Sequence, residues 1–294
     1  MTDGRGGVVV DRIGPHVVRA AIRYLPPRRR GLRLARAWLR LTSHRPALAL
    51  SREPSGLRLR CDLRDELAAT IFYRGWVDRE LETWLGRWLR PGDTYVDVGA
   101  HIGFYVSLAL ATIGPSGRVI AFEPLAESYE KLSASVREVS GRYPNVEIHR
   151  AAVGAAPGEA TLFGPAAGWK HQTYRASLVA AADRTPSGRV PVVTLDDALG
   201  GTSCRLLKID VEGSELEVLR GGRSFLSQQQ ADAVLMELNP NALAAAGTTP
   251  DEVVALLAAH GYRPHRIDGR ALVPRDGISV AGEFADVVFL PEDR

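Results

Sequence analysis

The stretch Thr94-Tyr-Val-Asp-Val-Gly-Ala-His-Ile-Gly-Phe-Tyr105 constrains this chain more than any other. Tyr95-Val96-Asp97-Val98 has the β-branched character of a strand buried on both faces. Gly99 and Gly103 then bracket a tight turn, and Phe104 to Ile113 continues with the composition of a helix. A strand, a glycine-bearing turn and a helix set backbone N–H groups and the positive end of a helix beside a ligand. A second strand, Arg118 to Phe122, ends at Glu123, 24 residues after Gly99. A carboxylate there can accept both hydroxyls of a ribose. This is the layout of a nucleotide-cofactor cradle.

The cofactor can be narrowed further. A dinucleotide fingerprint needs Gly-x-Gly-x-x-Gly. Counted from Gly99, this chain has His101 at the second glycine position and Phe104 at the third. A pyrophosphate must approach the backbone at the second position, and an imidazole obstructs it. A P-loop is excluded, because no Gly-Lys-Ser/Thr occurs. The remaining pattern, Asp97-x-Gly99-Ala100-x-x-Gly103, resembles motif I of the class I S-adenosylmethionine-dependent methyltransferases. That cofactor has no phosphate, so a bulky residue in the turn is tolerable.

Later segments sharpen the resemblance. Leu206-Leu-Lys-Ile-Asp-Val-Glu-Gly-Ser-Glu215, followed by Val218-Leu-Arg-Gly-Gly222, resembles the signature of the FkbM-type methyltransferases. So do Phe72-Tyr-Arg-Gly-Trp-Val-Asp-Arg-Glu-Leu81, Leu89-Arg-Pro-Gly-Asp93, Ala151-Ala-Val-Gly154 and Met236-Glu-Leu-Asn-Pro240. Together they run from about Phe72 to Leu290 in the family's order. Two residues depart from its commoner pattern: Asp78 stands where Glu is more frequent, and His101 where Asn is.

Strands and helices alternate from Thr94 onward, which argues for an α/β layered sheet. Strands are expected over 94–98, 118–122, 146–150, 205–210, 232–238, 261–267 and 285–290, with helices over 103–113, 125–139, 214–221 and 250–260. The fold class is therefore Rossmann-like: a seven-stranded, mostly parallel sheet with helices on both faces. In the methyltransferase topology the last strand runs antiparallel into the sheet. Residues 71–294 are read as this domain and residues 1–70 as an N-terminal extension. An insertion at about 155–194 carries a strand pair, 159–163 with 189–194, around the polar, aromatic segment Gly168 to Ser177. Long connections of this kind are often lids or binding loops. Before the domain, Pro54-Ser-Gly56 marks a hairpin over Ser51 to Cys61. Glu80 to Leu89 sets Leu81, Trp84, Leu85 and Trp88 on one helical face, a pattern of core packing.

Charge is unevenly spread. Residues 1–60 hold 14 Arg against Asp3, Asp11 and Glu53, while the whole chain is only +3. The basic arm includes a helical stretch, Arg30 to Leu41. Its simplest role is to be solvated or to dock on an acidic face of its own domain; the sharper alternative is contact with an anionic membrane surface, a carrier protein or a phosphorylated substrate. Nucleic acid is disfavoured, because the arm lacks interleaved stacking aromatics. Two cysteines, Cys61 and Cys204, are too few for a disulfide scaffold, and no 18-residue apolar run occurs. A reducing cytoplasm is the expected home. The oligomeric state is not specified.

Ligands of open α/β sheets sit outside the carboxyl ends of the strands. There Gly99, Ala100 and Gly103 shape the turn, and Asp97 fixes either that turn or the cofactor's methionine amino group. The resemblance implies that Glu123 would hold the ribose, that Ala151 and Ala152 would flank the adenine, and that Asp210 would face the methyl group. Lys208, Asp210 and Glu212 alternate, and a Lys in an apolar strand needs a partner, either Asp210 or Glu237. Asp210 is the first candidate for general base and His171 the second. Glu237 and Asn239 would orient the acceptor hydroxyl. Asp210 and Glu237 could instead chelate Mg²⁺, although no His/Cys ligand spacing points to a metal site. The resemblance implies an O-methyltransferase acting on a small-molecule hydroxyl acceptor: a sugar, nucleoside or polyketide-like metabolite. The alternatives are a nucleic-acid or protein methyltransferase recruited by the basic arm, and a non-catalytic cofactor-binding module.

Overall fold

In the computed structural model of the chain, Arg19 and residues 48–166, 172–269, 271–275 and 285–292 are described. The basic stretch Arg30 to Leu41 and the candidate base His171 lie outside these described residues.

The hairpin is present as β1 (Leu48–Arg52) and β2 (Arg58–Asp62), paired antiparallel. Two helices follow, α1 (Glu66–Arg74) and α2 (Arg79–Trp88). The sequence reading has no helix over α1. The segment is short, and burial of Ala68, Ile71 and Phe72 together with the Asp65 cap stabilises it. In α2 the expected stripe packs inward: Leu81, Trp84 and Leu85 are buried. Trp88 stacks on Trp84 and donates its ring N–H to the Arg205 carbonyl at 3.0 Å.

The alternating unit begins with β3 (Thr94–Val98), α3 (Phe104–Ile113), β4 (Arg118–Phe122), α4 (Ala126–Arg137) and β5 (Val146–His149). Next comes β6 (Ala152–Val153), and the insertion contributes β7 (Gly158–Pro165) and β8 (Arg184–Val193). Beyond it come α5 (Leu195–Leu199), β9 (Leu206–Ile209), α6 (Glu215–Arg220), α7 (Arg223–Ser227) and β10 (Val234–Leu238). The chain finishes with α8 (Pro240–Ala245), α9 (Pro250–Ala259), β11 (Tyr262–Asp268), β12 (Ala271–Pro274) and β13 (Ala285–Pro291).

The main sheet has the order β12-β11-β13-β10-β9-β3-β4-β5. All seven expected strands are in it, and β13 pairs antiparallel with both β10 and β11. Among the described residues the sheet nevertheless has eight strands. The extra one, β12, pairs antiparallel with β11 through Asp268↔Ala271. Its four residues, Ala271-Leu-Val-Pro274, are too short an apolar run to show strand alternation, although Gly269 in the turn is a hairpin signal. The insertion's strand pair, β7 with β8, forms a separate three-stranded sheet with β6, in the order β6-β8-β7.

Strand alternation divides the core into two layers. Tyr95, Val119, Leu206 and Leu235 point to one face, which is covered by the hairpin and α1 to α4. Val96, Ile120, Leu207 and Met236 point to the other, covered by α5 to α9. Burial on both faces is why these strands read as continuous apolar runs. The chain passes from β3 outward to β4 and β5, then returns to β9 on the other side of β3. That reversal opens a crevice at the carboxyl ends of β3 and β9.

Candidate active site

A cleft of about 570 Å³ occupies this crevice. One wall is the turn after β3. Gly99 has φ 90°, and a Cβ on it would lie 1.9 Å from the Asp210 carbonyl oxygen, so only glycine fits. Gly99 N–H and Ala100 N–H both donate to the Phe122 carbonyl at 3.0 Å, and Gly103 N–H donates to the Ala100 carbonyl. His101 N–H donates to Glu123 Oε2 at 2.8 Å, and Leu125 N–H to Glu123 Oε1 at 2.8 Å. These N–H groups are therefore engaged within the protein and form no nest for a phosphate. Each Glu123 oxygen keeps a second lone pair for another donor. Burial pushes the Glu123 carboxyl up to about 7, against the two backbone N–H donors.

Charged side chains cross the sheet on the face that carries Tyr95 and Leu206. Asp97 pairs in register with Lys208, and Glu237 stands directly opposite Asp286 between β10 and β13. Lys208 Nζ lies 3.0 Å from Asp210 Oδ2, 3.5 Å from Asp97 Oδ1 and 5.0 Å above the Tyr105 ring. Burial works against its charge, but Asp210 and Asp97 outweigh it and hold the ammonium well above its ordinary pKa. Asp97 is 0% exposed, and among the described residues neither of its carboxylate oxygens has a hydrogen-bond partner. Burial raises its pKa, with Lys208 opposing. Glu237 is pushed up to about 11 by burial and then by Asp210, Glu212 and Asp286. Burial, then Asp210 and Asp78, pushes Asp286 up to about 7. A protonated Glu237 is a donor at neutral pH.

The insertion contributes Leu162 and Tyr174 to Leu178 to the lining of the cleft. Its 3₁₀ turn, Thr173–Arg175, brings Tyr174 and Arg175 to the cleft. It is fastened at two places. His101 Nε2 lies 2.8 Å from Thr173 Oγ1, and Thr173 bonds onward to Asp65 Oδ2 through its N–H at 2.9 Å and Oγ1 at 3.0 Å. On the other side, Ser177 Oγ donates to the Glu212 carbonyl at 2.8 Å, as does Arg184 Nη1 at 3.2 Å. Arg184 also faces the Glu212 carboxylate at 3.4 Å. Burial, and next Asp210, pushes that carboxyl up to about 7.

Of the residues singled out from the sequence, Gly99, Ala100, Glu123, Ala151, Ala152, Lys208, Asp210 and Glu237 line this one cleft. Asp97 and Gly103 are not among its lining residues. Asp97 sits beneath Lys208, and Gly103 begins α3 with φ 92°, where a Cβ would meet Leu132. Asn239 reaches the lining, but its Oδ1 caps α8 by accepting Asn241 N–H and Ala242 N–H. Ser214 stands at the start of α6 without a side-chain capping bond.

Sequence reasoning gave no site role to Asp78, Tyr105 or Asp286, which line the cleft; Tyr174 and Arg175, also in the lining, belong to the segment Gly168 to Ser177 that it singles out as a candidate binding loop. Asp78 has a local signal. Its Oδ1 accepts Glu80 N–H and Leu81 N–H, as an N-cap does. Asp286 has none, because only the antiparallel insertion of β13 beside β10 brings it to Glu237. Among the described residues no three His, Cys, Asp or Glu side chains are placed to share a metal ion. The place beside Asp210 that a chelated cation would need holds the Lys208 ammonium. No helix among the described residues is long and apolar enough to cross a membrane.

Comparison with known proteins identifies the lineage. Residues 97–264 match the family described as the methyltransferase FkbM domain. The chain is 27% identical over 262 residues to the AMB antimetabolite synthetase AmbE of Pseudomonas aeruginosa, covering 67% of this chain and 12% of that protein. It is also 27% identical over 175 residues to the hexuronic acid methyltransferase AglP of Haloferax volcanii, covering 56% of this chain and 62% of the relative. The chain thus spans less than two thirds of either relative. Among solved structures, the methyltransferase FkbM of Methylobacillus flagellatus KT is similar, with 16% identity and a TM-score of 0.45. That likeness covers 82% of this chain and 48% of the other. The family match opens at Asp97, directly ahead of the glycine turn, and runs through β10 into β11, taking in most of the parallel core and its crevice. The chain belongs to the FkbM methyltransferase family.

Proposed function

We propose that this protein is an S-adenosylmethionine-dependent O-methyltransferase whose acceptor is a hydroxyl of a small specialised metabolite: a sugar, nucleoside or polyketide-like alcohol. The observation that carries the reading is Asp210, held by Lys208 at the tip of β9 in the same cleft as Glu123 and the glycine turn. AglP, named a hexuronic acid methyltransferase, favours a sugar-like acceptor within that class.

The cofactor end fits an adenosyl group without phosphates. The N–H groups of Gly99, Ala100 and His101 are engaged internally, and a carboxylate stands where an anion would be repelled. Glu123 would accept the ribose hydroxyls, Ala151 and Ala152 would flank the base, and Gly99 and Ala100 would form the floor. Bound there, S-adenosylmethionine supplies a methyl group activated by its sulfonium.

The remaining chemistry belongs to the protein. Sulfonium departs readily, so holding the acceptor in line can supply much of the rate. The acceptor hydroxyl must lose its proton as the new bond forms, and Asp210 would take it at a carboxylate oxygen. Lys208 keeps that carboxylate in one orientation. Glu237, protonated at neutral pH, would donate to the acceptor oxygen and aim its remaining lone pairs. The insertion turn with Tyr174 would keep bulk water out.

The test is a panel of free sugars, nucleosides and polyketide alcohols supplied with methyl-labelled cofactor. Asp210→Asn should cut turnover of any accepted alcohol by roughly 10²- to 10⁴-fold. Its affinity for S-adenosylhomocysteine should stay within about threefold of wild type, since the change spares the cofactor end. Full turnover by the variant would remove Asp210 from the chemistry.

A further inference from the structure

His101 lies in the cofactor turn, yet the chemistry above uses only its backbone. Its φ of 49° puts a side-chain-bearing residue in the left-handed region, a conformation costing on the order of 1–3 kcal/mol. The imidazole it holds there is engaged with Thr173, and Thr173 with Asp65.

Proton accounting fixes the direction of these bonds. The Asp65 carboxylate accepts Ala68 N–H on Oδ1, and on Oδ2 it accepts Thr173 N–H and Thr173 Oγ1–H. A carboxylate has no proton to give, so the one hydroxyl proton of Thr173 points to Asp65. Thr173 Oγ1 can then only accept from the ring, which puts a proton on His101 Nε2. Burial lowers the ring pKa to about 4, so the imidazole is neutral and Nδ1 carries a lone pair. Among the described residues Nδ1 has no hydrogen-bond partner. His101 is half-buried and lines the cleft, so the ring stands beside the space a ligand would fill.

We propose that Asp65, Thr173 and His101 form a hydrogen-bond relay that makes His101 a positioning residue for the cofactor. Its Nδ1 accepts from an O–H or N–H donor of the bound ligand, and its Nε2–H fastens the insertion over the turn. The proposal rests on the S-adenosylmethionine reading of the cleft. The relay joins segments far apart in the chain: the cap of α1, the turn after β3 and the insertion. The attachment of Ser177 and Arg184 to Glu212 is separate, so losing the relay loosens the cover without releasing it.

Two measurements test this. Long-range ¹H–¹⁵N correlation on ligand-free wild-type protein with ¹⁵N-labelled histidine reads the tautomer directly. The Nε2–H form is expected; the Nδ1–H form or an exchanging mixture overturns the relay, whatever the variants do. Calorimetry with S-adenosylhomocysteine then compares Thr173→Val, which keeps the volume and removes the hydroxyl, with Thr173→Ser, which keeps the hydroxyl. The Val variant should bind about tenfold more weakly, the equivalent of one hydrogen bond, and the Ser variant within about twofold of wild type. Equal binding by wild type and the Val variant overturns the positioning role. If wild-type protein shows the Nε2–H form but binds no S-adenosylhomocysteine, the cofactor reading fails and the positioning role fails with it, while the relay geometry stands.

Discussion

At its glycine-turn end the cleft is made by one short stretch of chain, Val98 to His101, with Glu123 facing it. At the other end it is made by single side chains from separate elements: Asp78 ahead of α2, Tyr105 in α3, Asp210 after β9, Glu237 in β10 and Asp286 in β13. The first end is shaped by backbone, whose hydrogen bonds are satisfied and whose spacing admits no Cβ at Gly99. The second is shaped by electrostatics, with several carboxyls gathered near one buried ammonium. A backbone-made wall should fail abruptly when altered. A side-chain wall should respond in steps and vary with pH.

The largest effect is expected at Gly99. In Gly99→Ala the new Cβ meets the backbone of Asp210, which no rotamer change can relieve, and φ 90° is strained for alanine. Together these should cost several kcal/mol. S-adenosylhomocysteine binding should fall by about 100-fold or more, and thermal unfolding should shift to lower temperature. A variant that binds like wild type would show that the turn is not the rigid wall described. Asp210→Asn belongs in the middle of the scale, lowering turnover and sparing affinity.

A smaller, pH-dependent effect should mark the acidic end. Glu237 holds its proton up to about 11 in the folded protein, against roughly 4.3 for an unfolded glutamate. Between those values the folded state carries a proton that the unfolded chain has released, so this group's contribution to stability declines as pH rises. Glu237→Gln cannot ionise in either state. It should match wild type below about pH 4 and exceed it by at least about 1 kcal/mol at pH 8. Urea unfolding of both proteins at the two pH values reads the difference. An offset that does not change with pH would show that Glu237 is not held protonated by its neighbours.

The same contrast explains what the sequence made legible. The glycine turn and Glu123 are contiguous or one strand apart, and their residue types report a backbone requirement directly. The buried parallel strands are legible for a similar reason, since burial on both faces leaves unbroken apolar runs. The acidic end offers no such pattern. Lys208 and Asp210 stand out because charge in an apolar strand needs a partner, but Asp286 becomes a neighbour of Glu237, and Asp78 comes near Asp286, only through the order of strands and the cap of α2. Both also fall outside the family match at 97–264. α1 and β12 escaped notice for another reason: short segments held by tertiary packing or by a hairpin carry little periodicity of their own.

Calorimetric titration with S-adenosylhomocysteine, comparing wild type with Glu123→Ala, tests the central claim most directly. Among the described residues Glu123 accepts two backbone N–H groups, which leaves lone pairs for a ligand. Wild type should bind with one-to-one stoichiometry, and the variant at least tenfold more weakly, the loss of a charge-assisted hydrogen bond. Absent binding by folded wild-type protein, or equal binding by the two, would contradict the assignment of this cleft to an adenosyl cofactor.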